Sequence, residues 1–193
     1  FMASKGVLYM KNDHEIKFTV ITAFFAAVIF LGIQIFRVPM PAAVGTPFVH
    51  FGHIFVVLAI LLLGIRRSMI AGAIGYIIFD LINGYAQSIP NVLFSMIVEC
   101  LIVGAFFQAM RKKTGKDYAS AVAAAILYGI LNVIIDFVWS AAVLMLAGSG
   151  FLAAVAAEIT AIPSTIINSV FTVIGTAVLY VPVKSAYSRI MVK

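Results

Sequence analysis

The sequence predicts an all-α polytopic membrane protein with six transmembrane helices and both termini in the cytoplasm. Three features predict this fold class: 64% of the 193 residues are hydrophobic, only 10% are charged, and the apolar residues fall into six long spans. Soluble globular domains are about 45–50% apolar and about 25% charged. The composition therefore excludes an ordinary soluble enzyme, a disordered segment and a nucleic-acid-binding module.

Residues 1–16 are predicted to be an N-terminal leader and cytoplasmic segment. Phe1 precedes a methionine, so Phe1–Gly6 is interpreted as a tag remnant, and Lys11–Lys17 as a polar stretch at the membrane surface. Residues 17–193 are predicted to form one six-helix transmembrane substrate-binding domain. At about 20 residues per bilayer crossing, the predicted spans are 17–36, 48–65, 68–85, 91–110, 119–147 and 152–183.

Turn-forming and charged residues separate the spans. Prolines and a glycine between residues 39 and 47 follow span 1, and Gln87–Pro90 follows span 3. Gly148–Gly150 separates spans 5 and 6. Such residues favour turns and interrupt helices, so each break in the hydrophobic pattern is predicted to be a loop.

Positive charge predicts the orientation. Twelve of the 13 basic residues precede span 1 or follow spans 2, 4 and 6, which places them all on one side of the membrane. Arg37 alone falls on the other side. Lys and Arg accumulate in cytoplasmic loops, so we expect both termini in the cytoplasm. The basic residues on the cytoplasmic side are Lys5, Lys11, Lys17, Arg66, Arg67, Arg111, Lys112, Lys113, Lys116, Lys184, Arg189 and Lys193.

Polar side chains inside the spans gather toward the outer side. Ionisable groups are costly in hydrocarbon and usually mark functional sites. Residues four apart share a helix face, which predicts polar stripes on spans 4, 5 and 6 around an outward-open cavity sealed on the inside. With the external Arg37, the predicted substrate-binding residues are Asn91, Ser95 and Glu99 on span 4, Asn132, Asp136 and Trp139 on span 5, and Glu158, Thr165 and Asn168 on span 6.

Alternative roles exist for several of these polar residues. Asp80 and Asn83 on span 3 either cap that helix or pair with His53. His50 and His53 have a spacing compatible with metal ligation, but two histidines with no cysteine nearby make a weak motif, and interfacial hydrogen bonding is the preferred interpretation. Trp139 is alternatively a plain interfacial aromatic residue. No metal site is predicted.

The charge of the predicted cavity indicates its ligand. No Lys or Arg lies within the outer halves of the spans, whereas an anionic vitamin would be expected to meet a fixed cation. Carboxylates and amides with a stacking aromatic residue, Trp139 or Tyr85, suit a neutral or cationic heterocycle that carries hydrogen-bond donors. The acids are expected to be partly protonated in so apolar a setting.

Motifs for catalysis are missing. Gly115-Lys116 is followed by Asp117 and lacks the rest of a phosphate-binding loop, and His-Glu-x-x-His is absent. One cysteine, Cys100, precludes an internal disulfide and a cysteine-based metal cluster. We therefore expect no enzymatic activity and no cofactor.

Span 1 carries small residues at every fourth position: Thr19, Ala23 and Ala27. A small-x-x-x-small stripe lets another helix approach closely. The stripe is predicted to be a docking surface for a partner subunit, and packing within the chain is the alternative.

Taken together, these features resemble the substrate-binding S component of energy-coupling factor (ECF) vitamin transporters. The resemblance covers nearly the whole chain and is sharpest in Leu62-Leu63-Gly64, Ala71-Gly72-Ala73-Ile74-Gly75, Asp80-Leu81 and Gly84-Tyr85. Ala23 and Ala27 are similar to the family's docking motif. The hydroxymethylpyrimidine or pyridoxine branch looks closest.

The resemblance implies a subunit of a bacterial cell-membrane importer. It would bind a water-soluble vitamin or precursor from outside, under a lid formed by residues 37–47, and deliver it inward with a transmembrane coupling subunit and two cytoplasmic ATPases. Two rival functions remain open. One is a stand-alone proton-coupled secondary transporter with a relay of Glu99, Asp136 and Glu158; the other is a metal permease that uses His50, His53 and Asp80.

Overall fold

A computed structural model describes the backbone of residues 2–192 and the side chains of residues 15–191. Within that part of the chain, seven α-helices, one 3-10 turn and a two-stranded ribbon follow one another. In chain order they are α1 (Met2–Gln34), β1 (Val38–Pro39), β2 (Phe48–Val49), α2 (Gly52–Leu63), α3 (Ile65–Asn83), the 3-10 turn (Ala86–Ser88), α4 (Ile89–Thr114), α5 (Asp117–Leu146), α6 (Phe151–Ile159) and α7 (Ile162–Val192).

Four segments are long and apolar enough to cross a membrane: Glu15–Gln34, Ala86–Thr114, Asp117–Leu146 and Ile162–Met191. These confirm the prediction of an all-α membrane protein. Predicted spans 2 and 3 coincide with α2 and α3, but neither is among the four candidates. α2 is apolar with only 12 residues, about 18 Å at 1.5 Å per residue. Six crossings and cytoplasmic termini therefore stay predictions.

The short helix α2 lies at the centre of the bundle. Val56, Val57, Leu58 and Ala59 are successive residues and all are fully buried. A helix that is hydrophobic on every side is stable only when other helices surround it. α1, α3 and α7 pack against α2 and supply this surrounding.

α1 and α3 are in close contact at a glycine. A Cβ atom at Gly75 would lie 2.8 Å from the carbonyl oxygen of Ala26 and 2.9 Å from Cγ2 of Ile29. The face of α1 that packs within the chain is therefore the one with Ala26 and Ile29, which are both buried. Ala23 and Ala27 are exposed, so the structure does not use the predicted stripe for internal packing.

The N-terminal segment has a helical backbone. α1 begins at Met2, so the main chain of residues 2–16 is continuous with the first predicted span, and its position at the membrane surface stays a prediction. The side chains before residue 15 lie outside the described residues, and with them the interpretation of Phe1–Gly6 as a tag remnant.

The predicted sixth span is wrong as a single helix. α6 ends at Ile159 and α7 begins at Ile162, with Thr160 and Ala161 in a turn between them. Pro163 explains the break, because proline has no N–H to donate to the carbonyl of Ile159, four residues earlier. Glu158 therefore lies on a different helix from Thr165 and Asn168.

The loop between α1 and α2 is held by strand pairing and by hydrogen bonds to α7. β1 and β2 pair antiparallel, with Val38 opposite Val49. The carboxamide of Asn168 on α7 accepts the N–H of His50 at 2.8 Å and donates to the carbonyl of Phe48 at 3.0 Å. These bonds satisfy backbone groups at the end of a short strand and fix the ribbon against α7.

Candidate functional site

A cavity of about 200 Å³ lies where α4, α5, α6 and α7 converge, next to Pro47 of the α1–α2 loop. Each of the four helices contributes at least one polar side chain, and apolar residues fill the rest of the wall. The lining residues are Pro47, Asn91, Val133, Asp136, Phe137, Ser140, Glu158, Ala161, Ile162 and Thr165.

Two carboxylates, Asp136 on α5 and Glu158 on α6, line this same cavity, and among the side chains of residues 15–191 no Lys or Arg does. Asn91 on α4 and Asp136 on α5 belong to the same cavity wall. Partial burial raises the pKa of Glu158, which lies outside the four candidate spans. The cavity wall therefore carries two carboxyl groups with an amide and hydroxyls, and their oxygen acceptors favour a ligand that donates hydrogen bonds.

The structure brings four of the predicted binding residues together in this cavity: Asn91, Asp136, Glu158 and Thr165. The break at Thr160–Ala161 does not separate Glu158 from Thr165, because both helix ends adjoin the cavity. Ser140 and Phe137 also line it and were not among the predicted binding residues. Ser140 lies one helical turn beyond Asp136, so the same spacing rule identifies it. No sequence signal distinguishes Phe137 from the other apolar residues of α5.

Three further predicted residues continue the polar stripes away from the cavity. The Ser95 hydroxyl donates to Oδ1 of Asn91 at 3.2 Å. The amide of Asn132 donates to Oε1 of Glu99 at 3.2 Å. Glu99 is fully buried, and its Oε2 has no hydrogen-bond partner among the described residues. Ser95 is thus bonded to a residue of the cavity wall, whereas Glu99 and Asn132 form a separate buried pair, and none of the three lines the cavity.

The remaining predicted residues have other contacts. Arg37 donates to Oδ1 of Asn83 at 3.3 Å, and its guanidinium lies 5.6 Å from the ring centroids of Phe48 and Phe79. Trp139 packs on Phe94 with 5.4 Å between ring centroids. Neither Arg37, Trp139 nor Asn168, which holds β2, is part of the cavity wall.

The two histidines of the α2 region belong to a buried hydrogen-bond network. Nδ1 of His50 accepts the N–H of Gly52 at 3.1 Å. Nδ1 of His53 lies 2.7 Å from the hydroxyl of Tyr128 and 2.9 Å from that of Tyr76. His53 is thus paired with tyrosines and not with Asp80. Across residues 15–191, no three His, Cys, Asp or Glu side chains are grouped as metal ligands.

A second surface of interest is the outward face of α1. Thr19, Ala23 and Ala27 are all exposed. The Thr19 hydroxyl donates to the carbonyl of Glu15, one turn back, at 2.9 Å, so its polarity is satisfied within the helix. The stripe of small side chains lies along the candidate membrane span Glu15–Gln34.

A family model described as the S component of the ECF-type riboflavin transporter matches residues 13–185. No curated protein matches the sequence significantly.

Proposed function

The chain belongs to the family of ECF-type riboflavin transporter S components, the substrate-binding subunits of vitamin importers; we propose its mode of action from this membership and its ligand from the cavity. The chain binds a one-ring vitamin or precursor of the hydroxymethylpyrimidine or pyridoxine type in the cavity between α4, α5, α6 and α7. It delivers this ligand together with a coupling subunit and two ATPases.

The observation that carries the ligand assignment is the pair of carboxylates, Asp136 and Glu158, in a cavity that no basic residue lines within the described part of the chain. Carboxylates accept hydrogen bonds from exocyclic amino groups, ring N–H groups and hydroxyls. An aminopyrimidine or a pyridine carrying hydroxyls provides these donors and a flat apolar ring. Phe137 and Ile162 supply apolar contact for that ring.

The size of the cavity favours a small ligand within the family. Pockets that hold drug-sized molecules measure about 300–1,000 Å³, and this one measures about 200 Å³. A three-ring flavin with a sugar-alcohol chain needs far more room than a single substituted ring. The volume therefore supports the one-ring vitamins over riboflavin itself.

The exposed stripe of Thr19, Ala23 and Ala27 supports a docking role for α1. Without large side chains, the stripe lets another membrane helix approach closely, which strengthens packing in lipid. Since the internal contact of α1 uses Ala26 and Ile29, the stripe stays free for the coupling subunit.

Reconstitution separates this function from a stand-alone proton-coupled carrier that would use Glu99, Asp136 and Glu158. The chain is placed in vesicles alone, or with the coupling subunit and ATPases, and labelled pyridoxine and hydroxymethylpyrimidine are offered outside. We expect ATP-dependent uptake only in the complete assembly. Uptake driven by a pH gradient in vesicles with this chain alone would establish the carrier instead.

A further inference from the structure

Helix α6 has its large apolar side chains on the side that faces away from the protein. Leu152 is 80% exposed and Ile159 is 54% exposed, and the two lie seven residues apart on one helix face. On the opposite side, Ala154 is fully buried and Glu158 lines the cavity.

This arrangement is the reverse of a water-facing helix, in which the apolar stripe turns toward the core and polar residues face solvent. In α6 the one charged residue, Glu158, faces inward, and no polar side chain of α6 lies on the outward side. We propose that the outward face of α6, formed by Leu152 and Ile159, lies in the upper acyl-chain region of the lipid bilayer. α6 is then a membrane-embedded wall of the cavity.

The occupant follows from the neighbouring helices. α6 packs against α5, and the adjoining outer faces of α5 and α7 expose apolar side chains in segments that qualify as membrane spans, such as Leu146 at 89% and Ile166 at 48%. The outer face of α6 adjoins these apolar faces, so the lipid that covers α5 and α7 is expected to cover α6 as well. With nine residues, α6 is about 13 Å long and cannot cross a hydrocarbon core of about 30 Å. It is therefore expected to lie shallow, as amphipathic interfacial helices do.

Lipid contact at α6 does not depend on the identity of the ligand, but it has a consequence for the cavity. α6 carries Glu158 on its inner face, and Thr160 immediately after α6 contacts the α1–α2 loop. Lipid that holds the outer face therefore positions one acidic wall of the cavity. The bilayer thus helps to hold the cavity wall that carries Glu158 in position.

Tryptophan fluorescence tests the lipid contact. The chain has one tryptophan, so Trp139→Phe provides a silent background for Leu152→Trp and, as a second variant on the same face, Ile159→Trp. Val44→Trp, at a 43% exposed position of the α1–α2 loop, serves as the aqueous control. Each purified full-length variant that elutes as a single species is placed in phosphatidylcholine vesicles with or without bromine atoms on the upper acyl chains.

We expect bromolipid to remove most of the fluorescence at residues 152 and 159, with little quenching by aqueous iodide, and the opposite pattern at residue 44. Iodide quenching at 152 and 159 equal to that at 44 would overturn the proposal, because the face would then lie in water. Protection from both quenchers would also overturn it, since a protein surface such as a second copy would then cover α6.

Discussion

The backbone N–H of Ala43 donates to Oγ1 of Thr160 at 2.8 Å. This bond joins residues 117 positions apart and connects the α1–α2 loop to the turn between α6 and α7. The Thr160 hydroxyl donates in turn to the carbonyl of Ala157 at 2.6 Å. Because Pro47 of the same loop lines the cavity, this contact is well placed to hold the loop against the cavity mouth.

Loss of the Thr160 hydroxyl is expected to loosen the loop. A hydrogen bond contributes about 0.5–1.5 kcal/mol net, and each 1.4 kcal/mol is tenfold in affinity. Thr160→Val should therefore weaken ligand binding by about 2- to 13-fold, mainly through faster dissociation. Stopped-flow release of bound pyridoxine or hydroxymethylpyrimidine measures this. Thr160→Ser keeps the hydroxyl and should release ligand at the wild-type rate. If both variants release ligand equally faster than wild type, the lost hydrogen bond is not the cause.

The carboxylate of Asp136 is expected to bind the ligand directly. Asp136→Asn keeps the shape of the side chain but removes its charge, and a hydrogen bond to a charged group contributes about 1.5–3 kcal/mol. Ligand affinity should fall by about 12- to 150-fold in titration calorimetry. Glu15→Gln is the matched control, because Glu15 is a largely exposed acid paired with Arg67, away from the cavity. Affinity unchanged in Asp136→Asn would mean that the ligand binds elsewhere.

The stripe on α1 is expected to control assembly and not ligand binding. Ala27→Trp places a large ring on the exposed stripe, so the coupling subunit and ATPases should no longer co-purify, while ligand binding persists. Val178→Trp on α7 is the control, at a lipid-facing position that is 66% exposed. Normal co-purification of Ala27→Trp would show that the partner docks on another face.

The contact between α1 and α3 is expected to limit stability. In Gly75→Ala the new Cβ would sit 2.8 Å from the Ala26 carbonyl, and overpacking of this kind costs about 1–3 kcal/mol. That loss exceeds the gain of about 0.5–1 kcal/mol from replacing a helical glycine, so the melting temperature in detergent should fall. Gly150→Ala, where nothing lies within 4 Å of the new Cβ, should melt at or above the wild-type temperature.

The sequence was sufficient to predict the polar stripes on α4 and α5. Residues four apart on a helix share a face whatever the tertiary structure, so spacing alone groups Asn91 and Asp136 with their neighbours. Which part of each stripe opens into the cavity depends on how the helices cross. That explains why Glu99 and Asn132 are enclosed in the interior while Asn91 and Asp136 line the cavity.

Other features could not be inferred from composition. The apolar run across residues 152–183 conceals a break, because a proline near a helix start is tolerated and hydropathy does not register the missing N–H of Pro163. The role of Asn168 depends on a contact with residues 118 and 120 positions away in the chain. An amide on a membrane helix is equally compatible with holding a strand and with binding a ligand, so spacing alone does not separate the two.

The decisive measurement for the ligand assignment is titration calorimetry of the purified full-length chain with pyridoxine, hydroxymethylpyrimidine and riboflavin. The acidic cavity of about 200 Å³ predicts saturable, one-to-one binding of a one-ring ligand, weakened in Asp136→Asn, and no measurable binding of riboflavin. Tight binding of riboflavin, with neither one-ring compound producing heat, would show that the assignment is wrong.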